Sequence, residues 1–307
     1  MTPPTFSIVV PTYARPERLS ACLSALTKLS YPRDEFEVIV VDDGSPSSPA
    51  EIVHRVIDQM AVRLIAQTQA GPAAARNTGA ANARGEYLAF TDDDCAPDAN
   101  WLRALAVALK TGPEIGVGGQ TINGLPENPY SAASQSLVDY LYQQWNTDSA
   151  PRFFTSNNFA VPAAGFIEIG GFDTRFPFAA GEDRDLCDRW LAHGFRLAYV
   201  PEAIVYHCHA LTFRSFWRQH YHYGRGAYHF RRSQAERTQR RVRLEARRFY
   251  FNLLGAPFAR AWRKQSGWRE AVLIVLSQVA HALAYMCEEL FSRASLLGVR
   301  GGNADER

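Results

Sequence analysis

Three consecutive carboxylates, Asp92, Asp93 and Asp94, close the apolar run Tyr87-Leu88-Ala89-Phe90-Thr91, and a second acidic pair, Asp42-Asp43, closes the run Val38–Val41. Carboxylates gathered in one place repel one another and cost stability unless a cation or hydrogen-bond donors offset them. Hard oxygen ligands of this kind suit Mg²⁺ or Mn²⁺, ions that bridge protein carboxylates to a diphosphate. On an extended segment residues two apart point the same way, so Asp92 and Asp94 are expected to present two carboxylates to one site. The plainer use of such aspartates is a turn or a helix cap. The strand before Asp92 and the matching Asp42-Asp43 tip favour the metal. In Asp42-Asp43-Gly44-Ser45, a carboxylate can accept an imide N–H from a nucleobase, while Gly44 lets backbone approach a ligand closely. A capped turn would use the same residues.

Both acidic tips need strands to position them. Short apolar runs at Phe6–Val10, Val38–Val41, Val62–Ile65, Tyr87–Phe90 and Ile115–Gly118 alternate with helical stretches at Pro16–Leu29, Ala50–Gln59, Ala73–Ala83 and Asn100–Lys110. Apolar residues at three-to-four spacing, such as Leu19, Leu23 and Leu26, mark the helices. Pro16 and Pro72 stand where a helix can begin. Alternating strand and helix implies parallel pairing with right-handed crossovers, and ligands in such sheets sit outside the carboxyl ends of the strands. Residues 121 to 210 carry recurrent proline and glycine and are expected to be irregular, with a helix over Arg184–His193 and late strands at Phe195–Val200 and Ile204–His207. From Thr212 the chain is expected to be helical and rich in aromatics. Ala271–Met286 is strongly apolar but shorter than the roughly 20 residues a spanning helix needs, so a docking or interfacial helix is expected there. The organisation expected is a domain over 1–210 and a basic, helical extension over 211–307.

The chain has 307 residues, 47% hydrophobic and 21% charged, with a formal net charge of +2, values ordinary for a globular protein. The charge is unevenly placed: Thr212 to Glu270 holds 15 Lys/Arg against 3 Asp/Glu. The five cysteines are scattered and lack a CxxC pair, which argues against a disulfide framework or a structural zinc site and fits a reducing cytoplasm. The N-terminus shows no basic-then-apolar leader, so secretion is not expected.

The ordered motifs resemble those of family 2 glycosyltransferases with the GT-A fold, a Rossmann-like, mostly parallel sheet flanked by helices. The matching segments are Ile8-Val9-Val10-Pro11-Thr12-Tyr13, Val40-Val41-Asp42-Asp43-Gly44-Ser45, Gly71–Gly79, Phe90-Thr91-Asp92-Asp93-Asp94, Gly170-Gly171-Phe172-Asp173, and Gly181-Glu182-Asp183 with Leu186 and Arg189. The resemblance covers residues 6 to about 210. It implies that Pro11 and Tyr13 line a nucleobase pocket, that Asp43 with Asp42 binds the base, and that Arg76, Asn77, Asp92 and Asp93 lie at the nucleotide. It implies Asp94 as the direct metal ligand, Asp92 facing the sugar or the metal's waters, and His207 completing the site, with His209 a rival at the same strand end. Asp183 becomes the catalytic base, with Glu182, Arg189, Asn157 and Asn158 on the sugar or acceptor side. The donor implied is a nucleotide-sugar, UDP-sugars foremost and dTDP- or GDP-sugars open. The acceptor implied is a growing glycan or lipid-linked glycan of a surface polysaccharide.

The chemistry is coherent with those roles. A cation neutralises the diphosphate leaving group, and a base takes the acceptor hydroxyl proton as it attacks the anomeric carbon. Direct attack inverts that centre. Asp183 stands at the start of a helix, where the dipole is expected to keep it ionised rather than raise its pKa; a mere N-cap is the other reading. Asn157 and Asn158 could bind sugar hydroxyls or stabilise a turn, and Trp101 and Trp145 could stack on a sugar or fill core. The interleaved basic and aromatic residues from His220 to Arg232 suit either a patch for the acceptor or for peripheral contact with anionic lipid on the cytoplasmic face of a membrane, or a solvated helix face. No nucleic-acid-binding motif is present. Two rivals stand beside the transferase: a sugar nucleotidyltransferase, which needs a glycine-rich loop where this chain has Pro11–Pro16, and a non-catalytic sugar-nucleotide or glycan-binding module, which has no need of Asp183.

Overall fold

The computed structural model describes residues 4–147, 150–176, 180–242, 245–246, 248–255 and 267–301. The chain divides into two compact units, one holding the sheet up to Ala210 and one holding the helices from Leu211 together with the short stretch Phe178–Gly181.

The first unit is built on an eight-stranded mixed sheet. Its strands are β1 (Phe6–Thr12), β2 (Phe36–Asp42), β3 (Val62–Ala66), β4 (Tyr87–Phe90), β5 (Cys95–Pro97), β6 (Ile115–Asn123), β9 (Phe159–Pro162) and β10 (Arg196–His207), in the order β3-β2-β1-β4-β9-β6-β10-β5. A separate two-stranded ribbon joins β7 (Asn146–Thr147) to β8 (Ala150–Pro151). Every residue of β1 and β2 is buried, so both faces of the sheet must be covered, and their unbroken apolar runs are what a parallel strand between two helical layers requires. On one face Ile8, Val10, Val38 and Val40 meet Leu19, Leu23 and Leu26 of α1 (Pro16–Leu26) and Trp101, Leu102 and Leu105 of α4 (Trp101–Leu109). On the other, Val9, Leu88 and Phe90 meet Phe166 of α6 (Ala163–Glu168) and Leu186 and Trp190 of α7 (Glu182–Ala192). Each such side chain contributes roughly 1.5–3 kcal/mol by leaving water. Trp101 is fully buried, so it is core rather than a sugar platform.

The parallel order runs outward from β1 through β2 to β3, then restarts on the other side of β1 with β4. That reversal opens a crevice at the carboxyl ends of β1 and β4, where Thr12 ends its strand and Thr91 follows directly after its own. Pro16 and Pro72 begin α1 and α3 (Pro72–Ala81), as their missing N–H groups allow.

Several sequence expectations need correction. Parallel pairing is not universal: β9 runs antiparallel between β4 and β6, and β5 antiparallel to β10. The two late strands are one strand, β10, whose register shifts between Val200 and Ile204, at Pro201. The segment from Ala50 keeps only a short helix, α2 (Ala50–His54). The irregular stretch after residue 121 contains α5 (Pro129–Trp145), capped by Asn128, whose side chain accepts from the Tyr130 and Ser131 N–H groups.

The second unit contains α8 (Phe213–Thr238), opened by a Thr212/Ser215 capping box, and α9 (Trp268–Gly301). The apolar stretch judged too short to span belongs to this 34-residue helix, and Trp268–Ser292 is long and apolar enough to cross a membrane, with a mean hydropathy of 1.5.

Candidate active site

Beyond β4 the backbone turns at once. The Cys95 N–H donates to the Asp92 carbonyl (3.1 Å), and β5 starts at Cys95. The segment is therefore not extended, and the strand alternation expected to align Asp92 with Asp94 does not operate. Each carboxylate finds its own partners. Asp92 accepts from Arg76 Nη2 (2.7 Å). Asp93 accepts from Thr12 Oγ1 (2.8 Å) and Arg15 Nη1 (3.2 Å). Asp94 accepts from Arg18 Nη1 (2.9 Å) and faces His207 Nε2 at 3.3 Å and Arg15 Nη1 at 3.7 Å.

These surroundings split the three electrostatically. Burial alone would push Asp94 up, but the hydrogen bond and charge of His207, with Arg15 and His209 behind them, hold it well below the usual carboxylate range. Asp93 moves the other way. Burial pushes it up to about 6, against the opposing charge of Arg15 and with the help of neighbouring Asp94.

Asp94, His207 and Cys95 offer three ligand atoms within 4.8 Å of one another. Cys95 is 2% exposed, and burial pushes its thiol far up, so it is an apolar filler rather than a thiolate ligand. That leaves an ionised carboxylate oxygen and an imidazole nitrogen, a donor pair that suits a hard to borderline divalent ion better than a soft one. His207 supplies the group; the His209 ring stacks on it with centroids 4.2 Å apart.

The other end of the cluster is organised by Arg76, a residue 3% exposed on α3. Its guanidinium donates to Asp92 with one nitrogen and to Glu182 Oε1 with another (3.1 Å). Arg76 Nε, Glu182 Oε2 and Thr91 Oγ1 are buried polar atoms without a hydrogen-bond partner among the described residues. Asp183 follows Glu182 in the first turn of α7, with Oδ1 accepting from the Arg184 N–H (2.7 Å). Its carboxyl is raised, contrary to the expectation from the helix dipole: burial outweighs the Arg184 and Ser156 N–H groups and the Arg76 charge, and Asp92 pushes in the same direction as burial. Glu182 is likewise raised, first by burial and then by the Asp183 charge beside it. Asp183 lies inside the helix and still keeps part of its surface open, so it is not simply an N-cap.

The β2 tip is closely engaged. Asp42 accepts from the Ser45 N–H (3.0 Å), and Asp43 accepts from Gln67 Nε2 (2.8 Å) and the Ala70 and Gly71 N–H groups (2.8 and 2.9 Å). Gly44 adopts φ of 82°, and a Cβ there would stand 2.9 Å from the Gln69 nitrogen, so the turn requires glycine. Pro11 is buried within β1, while Tyr13 is 40% exposed.

Three residues expected at the ligand bind protein instead. The Asn77 amide clamps Phe172, donating to its carbonyl and accepting from its N–H, both at 2.8 Å. Arg189 pairs with Asp185 (2.7 Å) and donates to the Ile169 and Gly171 carbonyls. Asn158 is fully buried: it accepts from Trp101 Nε1 and donates to the Gln120 and Ala203 carbonyls. In each case backbone groups of the Gly170-Gly171 turn or of a sheet irregularity need partners, and these side chains supply them. Asn157, 7% exposed, accepts from Thr155 Oγ1 (2.7 Å) and Thr121 Oγ1 (3.4 Å).

The model of the family described as "Glycosyl transferase family 2" matches residues 7–172 of this chain. The chain belongs to that family. This glycosyltransferase is 30% identical over 234 residues to the glycosyltransferase AglE of Haloferax volcanii, covering 73% of each. It is 33% identical over 217 residues to the pre-mycofactocin glycosyltransferase of Mycobacterium tuberculosis, covering 66% of this chain but only 44% of that one. Among solved structures it is similar to the mannosyltransferase PcManGT from Pyrobaculum calidifontis, determined with GDP-Man and Mn²⁺ (TM-score 0.58, 22% identity, 97% of this chain and 81% of that one). It is also similar to GalNAc-T7, determined with UDP, GalNAc and Mn²⁺ (TM-score 0.56, 17% identity, 81% and 54%). At these identities the structural likeness is one of fold, the GT-A fold. The nucleotidyltransferase and non-catalytic readings are set aside by the family.

Residues outside the motifs also meet the acidic cluster. Arg15 and Arg18, three apart around the start of α1, neutralise Asp93 and Asp94. Two arginines directly after β1, beside the strand reversal, were a signal available in the sequence. Trp145, weighed above as a sugar platform or core residue, lies under the Arg184 guanidinium at 4.2 Å, a cation–π contact next to Asp183.

Proposed function

We propose that this family 2 glycosyltransferase is a divalent-metal-dependent, inverting enzyme that moves a sugar from a nucleotide-sugar, a UDP-sugar foremost, to a hydroxyl of a glycan or lipid-linked acceptor in surface polysaccharide synthesis. One observation carries the reading: the carboxylates after β4 and at the start of α7 are driven in opposite electrostatic directions. Asp94 is held low opposite His207, while Asp183 and Glu182 are raised by burial. Groups whose environments separate their pKa values divide the work of a reaction between them.

Asp94 and His207 would hold Mn²⁺ or Mg²⁺, with Asp92 on the Arg76 side of the same cluster. A bound divalent ion supplies charge neutralisation for the departing diphosphate. Arg15 and Arg18 are already placed to add positive charge there. Tyr13 offers a partly exposed ring to a nucleobase, and Asp43, with three donors on two oxygens, keeps acceptor capacity for one base N–H. Asp183 accepts the proton of the acceptor hydroxyl. As the bond from that oxygen to the anomeric carbon forms, the bond from carbon to diphosphate breaks with its electron pair on the leaving group, and attack opposite that group inverts the centre. A raised carboxyl is a stronger base than an ordinary one, which is what this step requires. Five free cysteines, Cys208 among them exposed, support a reducing, cytoplasmic setting.

The test is a panel of UDP-, GDP- and dTDP-sugars with Mn²⁺, Mg²⁺ or chelator, read by melting temperature and by donor hydrolysis. Stabilisation and hydrolysis by one donor class, lost with chelator, are expected; equal turnover with chelator removes the metal, and an α-linked product from an α-linked donor removes inversion.

A further inference from the structure

Both oxygens of Asp94 are engaged by groups of the chain itself. Oδ2 accepts from Arg18 Nη1 at 2.9 Å, with Arg15 Nη1 at 3.7 Å, and Oδ1 faces His207 Nε2 at 3.3 Å. The arginines of the cluster are not held alike. The Arg76 side chain is 4% exposed and braced between Asp92 and Glu182, so its departure would strand two carboxylates. The Arg18 side chain is 34% exposed, and its guanidinium hydrogen-bonds to Asp94 alone among the described residues. Arg15 is half exposed and lies nearer Asp93 (3.2 Å) than Asp94. Arg18 is thus the cation that can leave Asp94 at least cost.

The turn that leads into α1 is strained. Ala14 adopts φ of 52°, a left-handed conformation uncommon for a residue with a side chain, and its N–H is fixed by Ser45 Oγ at 2.8 Å. Through that turn the chain leaves β1 and brings Arg15 and Arg18 to the carboxylates beyond β4. Strain of this kind persists where the surroundings hold it, and it gathers at ligand sites.

A divalent cation taken by Asp94 and His207 shares that carboxylate with Arg18, and like charges brought so close repel. The diphosphate of a nucleotide-sugar offers Arg18 another partner, because phosphate oxygens match the guanidinium fork as a carboxylate does. We propose that Arg18 is an exchangeable counter-charge for Asp94: it disfavours a cation that arrives alone, and it passes to the diphosphate when the donor binds, so that metal and nucleotide enter together. This rests on the divalent-metal reading above and adds to it the residue that couples the two ligands.

The test uses the full chain as parent, Arg18→Ala and Arg18→Lys. Mn²⁺ binding is read from the electron paramagnetic resonance signal of the free ion. Nucleotide binding is read by calorimetry, with UDP or GDP, whichever raises the parent's melting temperature more. Arg18→Ala is expected to bind Mn²⁺ alone about tenfold more tightly than the parent, and the nucleotide alone about tenfold more weakly. The opposite signs are the signature, since a residue that only buttresses the site weakens both ligands when it is removed. Arg18→Lys keeps the charge and should keep Mn²⁺ alone as weak as in the parent. The nucleotide should raise Mn²⁺ affinity about tenfold less in Arg18→Ala than in the parent, and the matching nucleoside, without phosphate, should raise it in neither. Should Arg18→Ala lose its circular dichroism spectrum, Arg18→Gln removes the charge with a residue equally suited to a helix and is read in the same way. If the parent takes up Mn²⁺ with nucleotide but the uncharged variant binds Mn²⁺ alone no better than the parent, the inference is overturned and the metal reading stands. A parent that takes up no Mn²⁺ even with nucleotide removes the metal reading, and this inference with it.

Discussion

The two ends of the acidic cluster are made of the same residue type and behave oppositely. At one end Asp94 receives Arg18, Arg15 and His207 and stays anionic although it is buried. At the other, Arg76 pairs with both Asp92 and Glu182 and its charge also acts on Asp183, and burial prevails. The difference teaches that burial pushes every one of these carboxyls up, and that the positive charges gathered on each decide which aspartate stays ionised and which is left able to take a proton. Arginines supply the offset that carboxylate repulsion demands before any ligand arrives.

The comparison breaks most visibly at the base. Asp183→Asn is expected to lower kcat by about 10³-fold or more while nucleotide binding stays near the parental value; retained turnover would remove Asp183 from proton transfer. At the opposite end, Asp94→Asn should weaken Mn²⁺ by about 10- to 100-fold, measured by titration calorimetry, and carry UDP affinity down with it. Arg76 connects the two ends, so it sharpens the contrast. Its charge lowers the Asp183 and Glu182 pKa values, and kcat/KM must fall as pH drops and these raised carboxyls protonate. Arg76→Lys keeps the charge but not the two-directional grip, and its acid limb is expected to move to higher pH; an unmoved limb would mean that Arg76 serves packing alone.

The smallest effect concerns Asp93. Its folded pKa of about 6 lies above the ordinary 3.8, so the folded state holds this proton more tightly than the unfolded chain. The ionised carboxylate therefore costs stability above pH 6, and that cost disappears as pH falls towards 4. Asp93→Asn, which can still accept from Thr12 and Arg15, is expected to melt about 2 °C higher than the parent at pH 8 and level with it near pH 4. The reverse pH dependence would contradict the assignment.

Much of this was legible in the chain because it is local. Apolar runs ended by Asp42-Asp43 and Asp92–Asp94 identify strand tips, and prolines at 16 and 72 mark helix starts. What was not legible depends on distant partners. The antiparallel insertion of β9 comes from residues 159–162 pairing with both 87–90 and 117–118. The parting of Asp92 from Asp94 follows from a turn closed by Cys95 and from Arg76 and Arg18, which lie on different helices. Asn77, Asn158 and Arg189 have side chains suited to sugar hydroxyls, and only the fold shows the backbone groups that claim them. The raised carboxyl of Asp183 is likewise a matter of what surrounds α7, which the dipole rule for an isolated helix cannot contain.

The most direct test is calorimetric titration of UDP, with and without Mn²⁺, into the parent chain, Asp94→Asn and Asp183→Asn. The account predicts strong Mn²⁺-dependent heat for the parent and for Asp183→Asn, and little for Asp94→Asn. UDP binding that is indifferent to Mn²⁺, or that survives in Asp94→Asn and fails in Asp183→Asn, would contradict the division of the cluster.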